Sequence, residues 1–136
     1  PDPKSERALL EGQDRRWMLD RIVPSMTPED VLDAQRMVGE IRCAAPVVDY
    51  VQNLLTHSRR SASLAEGLSP RAGIALIRAA RAWAMLDGRN HVLPDDVQAV
   101  LPAVAGHRLK PLKGGALTHR GRAELVSELV KSVPVS

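Results

Sequence analysis

Ser69-Pro70-Arg71-Ala72-Gly73-Ile74-Ala75-Leu76-Ile77-Arg78-Ala79-Ala80-Arg81-Ala82-Trp83-Ala84-Met85-Leu86 is the stretch that decides the fold. A serine followed by proline is a helix start. The hydroxyl can accept a first-turn N–H, and proline at the first helical position lacks an N–H that would have had no partner. The apolar positions Gly73, Leu76, Ile77, Ala80, Trp83 and Ala84 then recur at steps of three and four, the spacing of one helix face. One buried stripe is predicted through Leu86, with Trp83 in the core as a packing residue rather than a stacking platform. Arg78 and Arg81 near the same side read as a solvated face, the alternative being a basic strip toward a neighbouring subunit or toward nucleic acid.

Downstream, Asp87-Gly88-Arg89-Asn90 reads as a turn, and Pro94-Asp95-Asp96 starts a further helix reaching Val100, with carboxylates at the positive end of its dipole. Leu93 stands where a Ser, Thr or Asp cap is expected, a loss of about 1 kcal/mol at that edge. After a Gly- and Pro-containing stretch, Arg122 to Val133 forms the last helix, with Leu125, Val126, Leu129 and Val130 inward. Upstream, Ser58 to Leu68 reads as an exposed connection. Before it, Pro46 opens a helix to Arg59 carrying Val47, Val48, Val51, Leu54 and Leu55 on one face. Thr27-Pro28-Glu29-Asp30 is a strong start for a helix to Val38, which Gly39 ends. Asp2-Pro3 caps a short helix through Leu10 that Gly12 stops. Gln13 to Met26 is mostly loop, with Trp17, Leu19, Ile22 and Val23 as anchors. The fold class is all-α, a small helical bundle of five or six helices. Strict alternation is absent, so at most one very short strand pairing is expected, near Val92-Leu93 or Arg108-Leu109.

The composition agrees. The 136 residues are 44% apolar, with two Trp, one Tyr and no Phe, so the core must be built from Leu, Val, Ile, Ala and Met. A single cysteine, Cys43, excludes an internal disulfide, and a small buried residue is its default role. The histidines His57, His91, His107 and His119 occur singly, so neither a metal site nor a general base follows. Ser69 has no base near it in sequence and is a cap rather than a nucleophile. Apolar runs are too short to span a bilayer. Nineteen basic residues against sixteen acidic give a net charge of +3, a mixed surface that permits a polyanion partner without requiring one.

The segments Gly67-Leu68-Ser69-Pro70-Arg71-Ala72, Ile77-Arg78-Ala79-Ala80-Arg81-Ala82-Trp83-Ala84, Gly88-Arg89-Asn90-His91-Val92, Pro94-Asp95-Asp96-Val97 and His107-Arg108-Leu109 resemble, in that order, the C-terminal lid of MoxR-family AAA+ ATPases. The resemblance implies one lid domain over residues 1–136, a fragment of a longer bacterial, cytoplasmic protein. It implies that Arg71 is the sensor 2 arginine directed at nucleotide phosphates, with Ser69 and Pro70 completing the nucleotide-facing motif. ATP and Mg are implied for the full-length parent, and no tight cofactor binding for this chain alone. No G-x-x-x-x-G-K-[ST] phosphate loop occurs, and Lys113 precedes Gly114 and Gly115 in the wrong order, so this chain by itself is not expected to hydrolyse ATP. The implied partners are the protein's own AAA+ core, neighbouring subunits of a hexameric ring, and clients often associated with von Willebrand factor A domains. A free-standing helical nucleic-acid-binding module is the alternative, supported by basicity alone. A purely structural oligomerisation domain is a third reading.

Overall fold

The computed structural model describes residues 2–12, 19, 21–112 and 119–135. Six helices have both ends within the described residues: α1 (Pro3–Glu11), α2 (Pro28–Glu40), α3 (Ala45–Arg60), α4 (Pro70–Leu86), α5 (Pro94–Ala105) and α6 (His119–Ser132). Two short strands, β1 (Leu64–Glu66) and β2 (Lys110–Pro111), complete the described elements. The chain divides into two compact units at Leu32/Asp33.

In the first unit, Asp2 caps α1 by accepting from the N–H groups of Lys4 and Ser5, each at 3.0 Å. The start of α2 is a reciprocal capping box: Thr27 Oγ1 accepts from Asp30 N at 3.1 Å, and Asp30 Oδ2 accepts from Thr27 N at 2.8 Å. These bonds hold the Asp30 carboxyl below the usual carboxylate range. Leu19, Ile22 and Val23, expected as anchors, are exposed instead; Trp17 lies outside the described residues. The expected stop at Gly39 is also corrected, since α2 runs through it to Glu40. Gly39 lacks the positive φ of a glycine helix stop, which among the described residues belongs to Gly88 at 72°.

In the second unit, α4 lies at the centre and packs most extensively on α5, with α3 on α4 and α6 against both α3 and α5. Leu54 of α3, Leu76 of α4, and Val97 and Leu101 of α5 are fully buried, and Val126 and Leu129 of α6 close the core. Tyr50 ties α3 to α5 by accepting from Gln98 Nε2 at 3.2 Å. The α4 stripe is real but narrower than its sequence implies. Ala72, Ala80 and Ala84 are wholly buried and allow close helix approach, whereas Trp83 is 49% exposed. Trp83 is rotated by about 60° from Ala80, the middle of the stripe, and so falls at its edge, half exposed.

Three boundaries differ from expectation. α5 continues past Val100 and through Pro102 to Ala105. Proline removes one helical hydrogen bond, and burial of Leu101 and Ala105 on either side offsets the loss. α6 begins earlier, at His119, and ends at Ser132. Between Ser58 and Leu68 the chain is exposed or partly exposed as expected, but its two ends, Ser58 and Leu68, are buried, α3 extends to Arg60, and Leu64–Glu66 is a strand. It pairs antiparallel with β2, Leu64 opposite Pro111 and Glu66 opposite Lys110. A separate parallel bridge joins Arg42 to His91, beside the expected Val92.

Candidate functional site

The start of α4 is held against α3 by a chain of close approaches. Ser58 Oγ donates to Leu55 O at 2.8 Å and accepts from Leu68 N at 2.8 Å, so a buried hydroxyl satisfies the backbone just before the helix. At Gly67 an added Cβ would stand 2.5 Å from Arg59 Cα, so only glycine lets the loop pass over α3. At Gly73 a Cβ would meet Leu55 Cδ1 at 2.7 Å. Gly67, Leu68, Ala72 and Gly73 thus fix one side of this turn against α3.

The opposite side faces out. Ser69, in extended conformation, is the N-cap, with its Oγ accepting from Ala72 N at 3.3 Å. Pro70 occupies the first helical position and Arg71 the second. Arg71 is exposed and forms no ion pair among the described residues. A cation at the positive end of a helix is disfavoured by about 0.3–1 kcal/mol, and α4 has no acidic residue in its first turn to relieve this. The arrangement is therefore a pinned turn presenting an uncompensated guanidinium, a forked donor suited to a phosphate or carboxylate.

At the other end of α4 lies a constellation that sequence reasoning did not assemble. Arg89 Nη2 donates to Asp96 Oδ1 at 2.6 Å and Nη1 donates to Asp96 Oδ2 at 2.8 Å. Nη1 also donates to His91 O at 3.1 Å, and the guanidinium reaches exposed Asp87. Asp96 Oδ2 in turn accepts from Leu93 N at 2.7 Å, so the missing cap at Leu93 is replaced by the third helical residue, and α5 starts at Pro94 as expected. The Arg89 fork beside Asp96 holds its carboxyl below the usual range against the opposing effect of burial. The signal available in sequence was the Asp two residues after Pro94; its partner, seven residues upstream across a turn, carried none.

Cys43 is half-buried, and burial pushes its thiol pKa up against the nearby Arg81 charge, so the sulfur is not an activated thiolate. His57, His91 and His107 are exposed. Among the described residues no group of three His, Cys, Asp or Glu could hold a metal, and no helix is long and apolar enough to cross a membrane.

Residues 56–129 match the family model of the AAA lid domain. The chain is 32% identical over 109 residues to the uncharacterised protein YeaC of Bacillus subtilis, covering 80% of this chain and 34% of that protein. It is 36% identical over 122 residues to Chaperone MoxR1 of Mycobacterium tuberculosis, covering 80% of this chain and 31% of that protein. A shorter match, 58% identity over 43 residues, is to Protein MoxR of Paracoccus denitrificans, covering 32% of this chain and 13% of that protein. The chain therefore spans about a third of the length of YeaC and MoxR1. A solved structure of a candidate ATPase from Cytophaga hutchinsonii shares the fold at a TM-score of 0.66 and 22% identity, covering 79% of this chain and 36% of that one.

Proposed function

Since this chain belongs to the AAA lid domain family, we propose that it is the lid of a MoxR-like AAA+ ATPase and that Arg71 is its sensor 2 arginine. The observation that carries this reading is the exposed, unpaired Arg71 guanidinium on a turn pinned to α3 through Gly67, Leu68 and Gly73. Ser69 spends its hydroxyl on the Ala72 N–H and Pro70 has no N–H to give, so both shape the turn while Arg71 meets the phosphates. An anion there would also relieve the unfavourable cation at the helix start.

ATP with magnesium supplies the phosphoryl chemistry in the full-length protein. The residues of this chain fit the phosphate end of that ligand, and the metal's ligands would come from the remainder of the protein. A guanidinium touching the terminal phosphate loses that partner after cleavage, so the lid would sit differently before and after hydrolysis. Pinning to α3 passes such a shift to the whole bundle. Through neighbouring subunits of a hexameric ring this would drive chaperone-like remodelling or cofactor insertion in client proteins, including those with von Willebrand factor A domains. The test is ATP turnover by the full-length protein with Arg71→Ala, where wild-type turnover in a folded, assembled variant overturns the assignment.

A further inference from the structure

The motif His107-Arg108-Leu109 has no part in the nucleotide reading. Leu109 is buried and anchors it, while His107 and Arg108 are exposed. Arg108 N donates to Ala105 O at 2.9 Å and Gly106 N donates to Pro102 O at 3.1 Å. Two of the last carbonyls of α5 are thus spent within this turn and present less negative charge beyond it.

Between the turn and α6 lies a cavity of about 130 Å³, lined by Pro102, Gly106 and His107 on one side and by Arg122, Ala123 and Val126 on the other. No carboxylate lines it among the described residues. Arg122 is exposed and sits in the first turn of α6, which carries no acidic residue. A cation at that end of a helix is disfavoured. Neither Arg108 nor Arg122 forms an ion pair among the described residues.

The proton on His107 follows from its neighbour. Arg108 Nε donates to His107 Nε2 at 3.2 Å. A guanidinium has no acceptor, so Nε2 is the unprotonated nitrogen and the proton of the neutral ring sits on Nδ1. The cavity is therefore bordered by one cation, one imidazole N–H and, a single hydrogen bond away, a second cation, with no acid to balance them.

Size and charge select the ligand. At about 30 Å³ per liquid water the cavity holds roughly four waters' worth of volume, well below the range of about 300–1,000 Å³ that takes whole small molecules. It has room for one oxyanion group and none for a nucleoside. A carboxylate would balance only one of the two arginines, whereas a phosphate dianion balances both and accepts from the imidazole as well.

We propose that this cavity binds a phosphate dianion, with Arg122 and Arg108 supplying the charge and His107 Nδ1–H a directional hydrogen bond. The anion relieves the cation at the start of α6 and the repulsion between two arginines beside one small space. The site uses neither Ser69 nor Arg71, so a failed sensor role leaves it standing. Inorganic phosphate and a phosphoryl group on a partner's serine share this chemistry.

The test titrates inorganic phosphate by calorimetry, at low salt, into the full-length protein saturated with magnesium and a non-hydrolysable ATP analogue, so that the nucleotide site is filled. Wild type should bind phosphate. Arg108→Gln and Arg122→Gln should each weaken binding about tenfold or more and His107→Ala a few-fold, with equal helicity by circular dichroism. Arg122→Lys should keep part of the affinity, and Arg71→Ala all of it. A phosphoserine peptide that displaces inorganic phosphate and binds tighter, while its unphosphorylated form does not bind, supports the site with a partner as the source. Inorganic phosphate binding tighter than the peptide supports it with the free anion as the source. No binding by wild type overturns the proposal, as do arginine variants that bind like wild type. Loss in Arg71→Ala without loss in Arg122→Gln overturns it by moving the anion to α4. Steeply salt-dependent binding of a duplex oligonucleotide that phosphate does not displace overturns it by giving these cations to nucleic acid.

Discussion

Arg89 grips the buried carboxylate of Asp96 with both arms of its guanidinium, at 2.6 and 2.8 Å, and thereby ties the end of α4 to the start of α5. The same carboxylate takes the Leu93 N–H, so one acid both neutralises the arginine and caps the next helix. Replacing Asp96 with Ala leaves a partly buried guanidinium without its fork partner and should cost about 2–4 kcal/mol in urea unfolding. Arg89→Lys should retain part of the stability, because a point charge cannot make both bonds. Equal stability of wild type and Asp96→Ala would contradict this account of the turn.

That pair also fixes a pH dependence. The folded Asp96 carboxyl is held below its ordinary 3.8, chiefly by Arg89, while the unfolded chain titrates near the ordinary value. Its contribution is therefore complete above about pH 5 and is lost as pH falls through 4 toward the folded value. The wild-type melting temperature should drop over that window, and Asp96→Asn should drop less steeply. Parallel slopes for the two proteins would show that the pair does not set the acid limb.

Packing gives a third prediction. Leu76 is fully buried, so Leu76→Ala should cost about 2–5 kcal/mol, whereas half-exposed Trp83→Ala should cost about 1–2 kcal/mol in this chain. Denaturant midpoints measured side by side test the ranking, and a larger loss at Trp83 would reverse the buried face assigned to α4.

A fourth concerns the turn behind Arg71. Gly67→Ala would place a methyl 2.5 Å from Arg59 Cα, a backbone overlap that must push the turn off α3. It should destabilise the chain by about 1–3 kcal/mol, and in the full-length protein it should lower ATP turnover although it touches no ligand. Normal stability together with normal turnover would mean that the close approach is not needed.

Three helix starts were legible because a capping side chain and a proline announce them locally: Asp2-Pro3, Thr27-Pro28 and Ser69-Pro70 all open helices where the sequence places them. Helix ends were less so. Gly39 and the Val100 boundary were overridden by backbone and burial terms that no nearby residue signals. The buried Ser58 and Leu68 looked like loop because their meaning is a contact across ten residues, and Arg89 with Asp96 is a contact across a turn. Trp83 misled because an apolar stripe gives an angle but not the width of the neighbour covering it. At the candidate site, the Ser69-Pro70 start could be read from the residues. The role assigned to Arg71 came from resemblance, since a lone exposed arginine carries no local signature.

The central claim is that Arg71 recognises the nucleotide's phosphates, and steady-state ATP hydrolysis by the full-length protein and its Arg71→Ala and Arg71→Lys variants tests it most directly. Arg71→Ala should lower turnover about 10- to 1000-fold, equivalent to roughly 1.4–4 kcal/mol of barrier, with helicity and assembly unchanged. Arg71→Lys should recover only part of it. A fall in kcat assigns the contact to the transition state, and a rise in KM alone assigns it to ground-state binding. Wild-type kcat and KM in a folded, assembled Arg71→Ala protein would contradict the account and leave this turn a structural element.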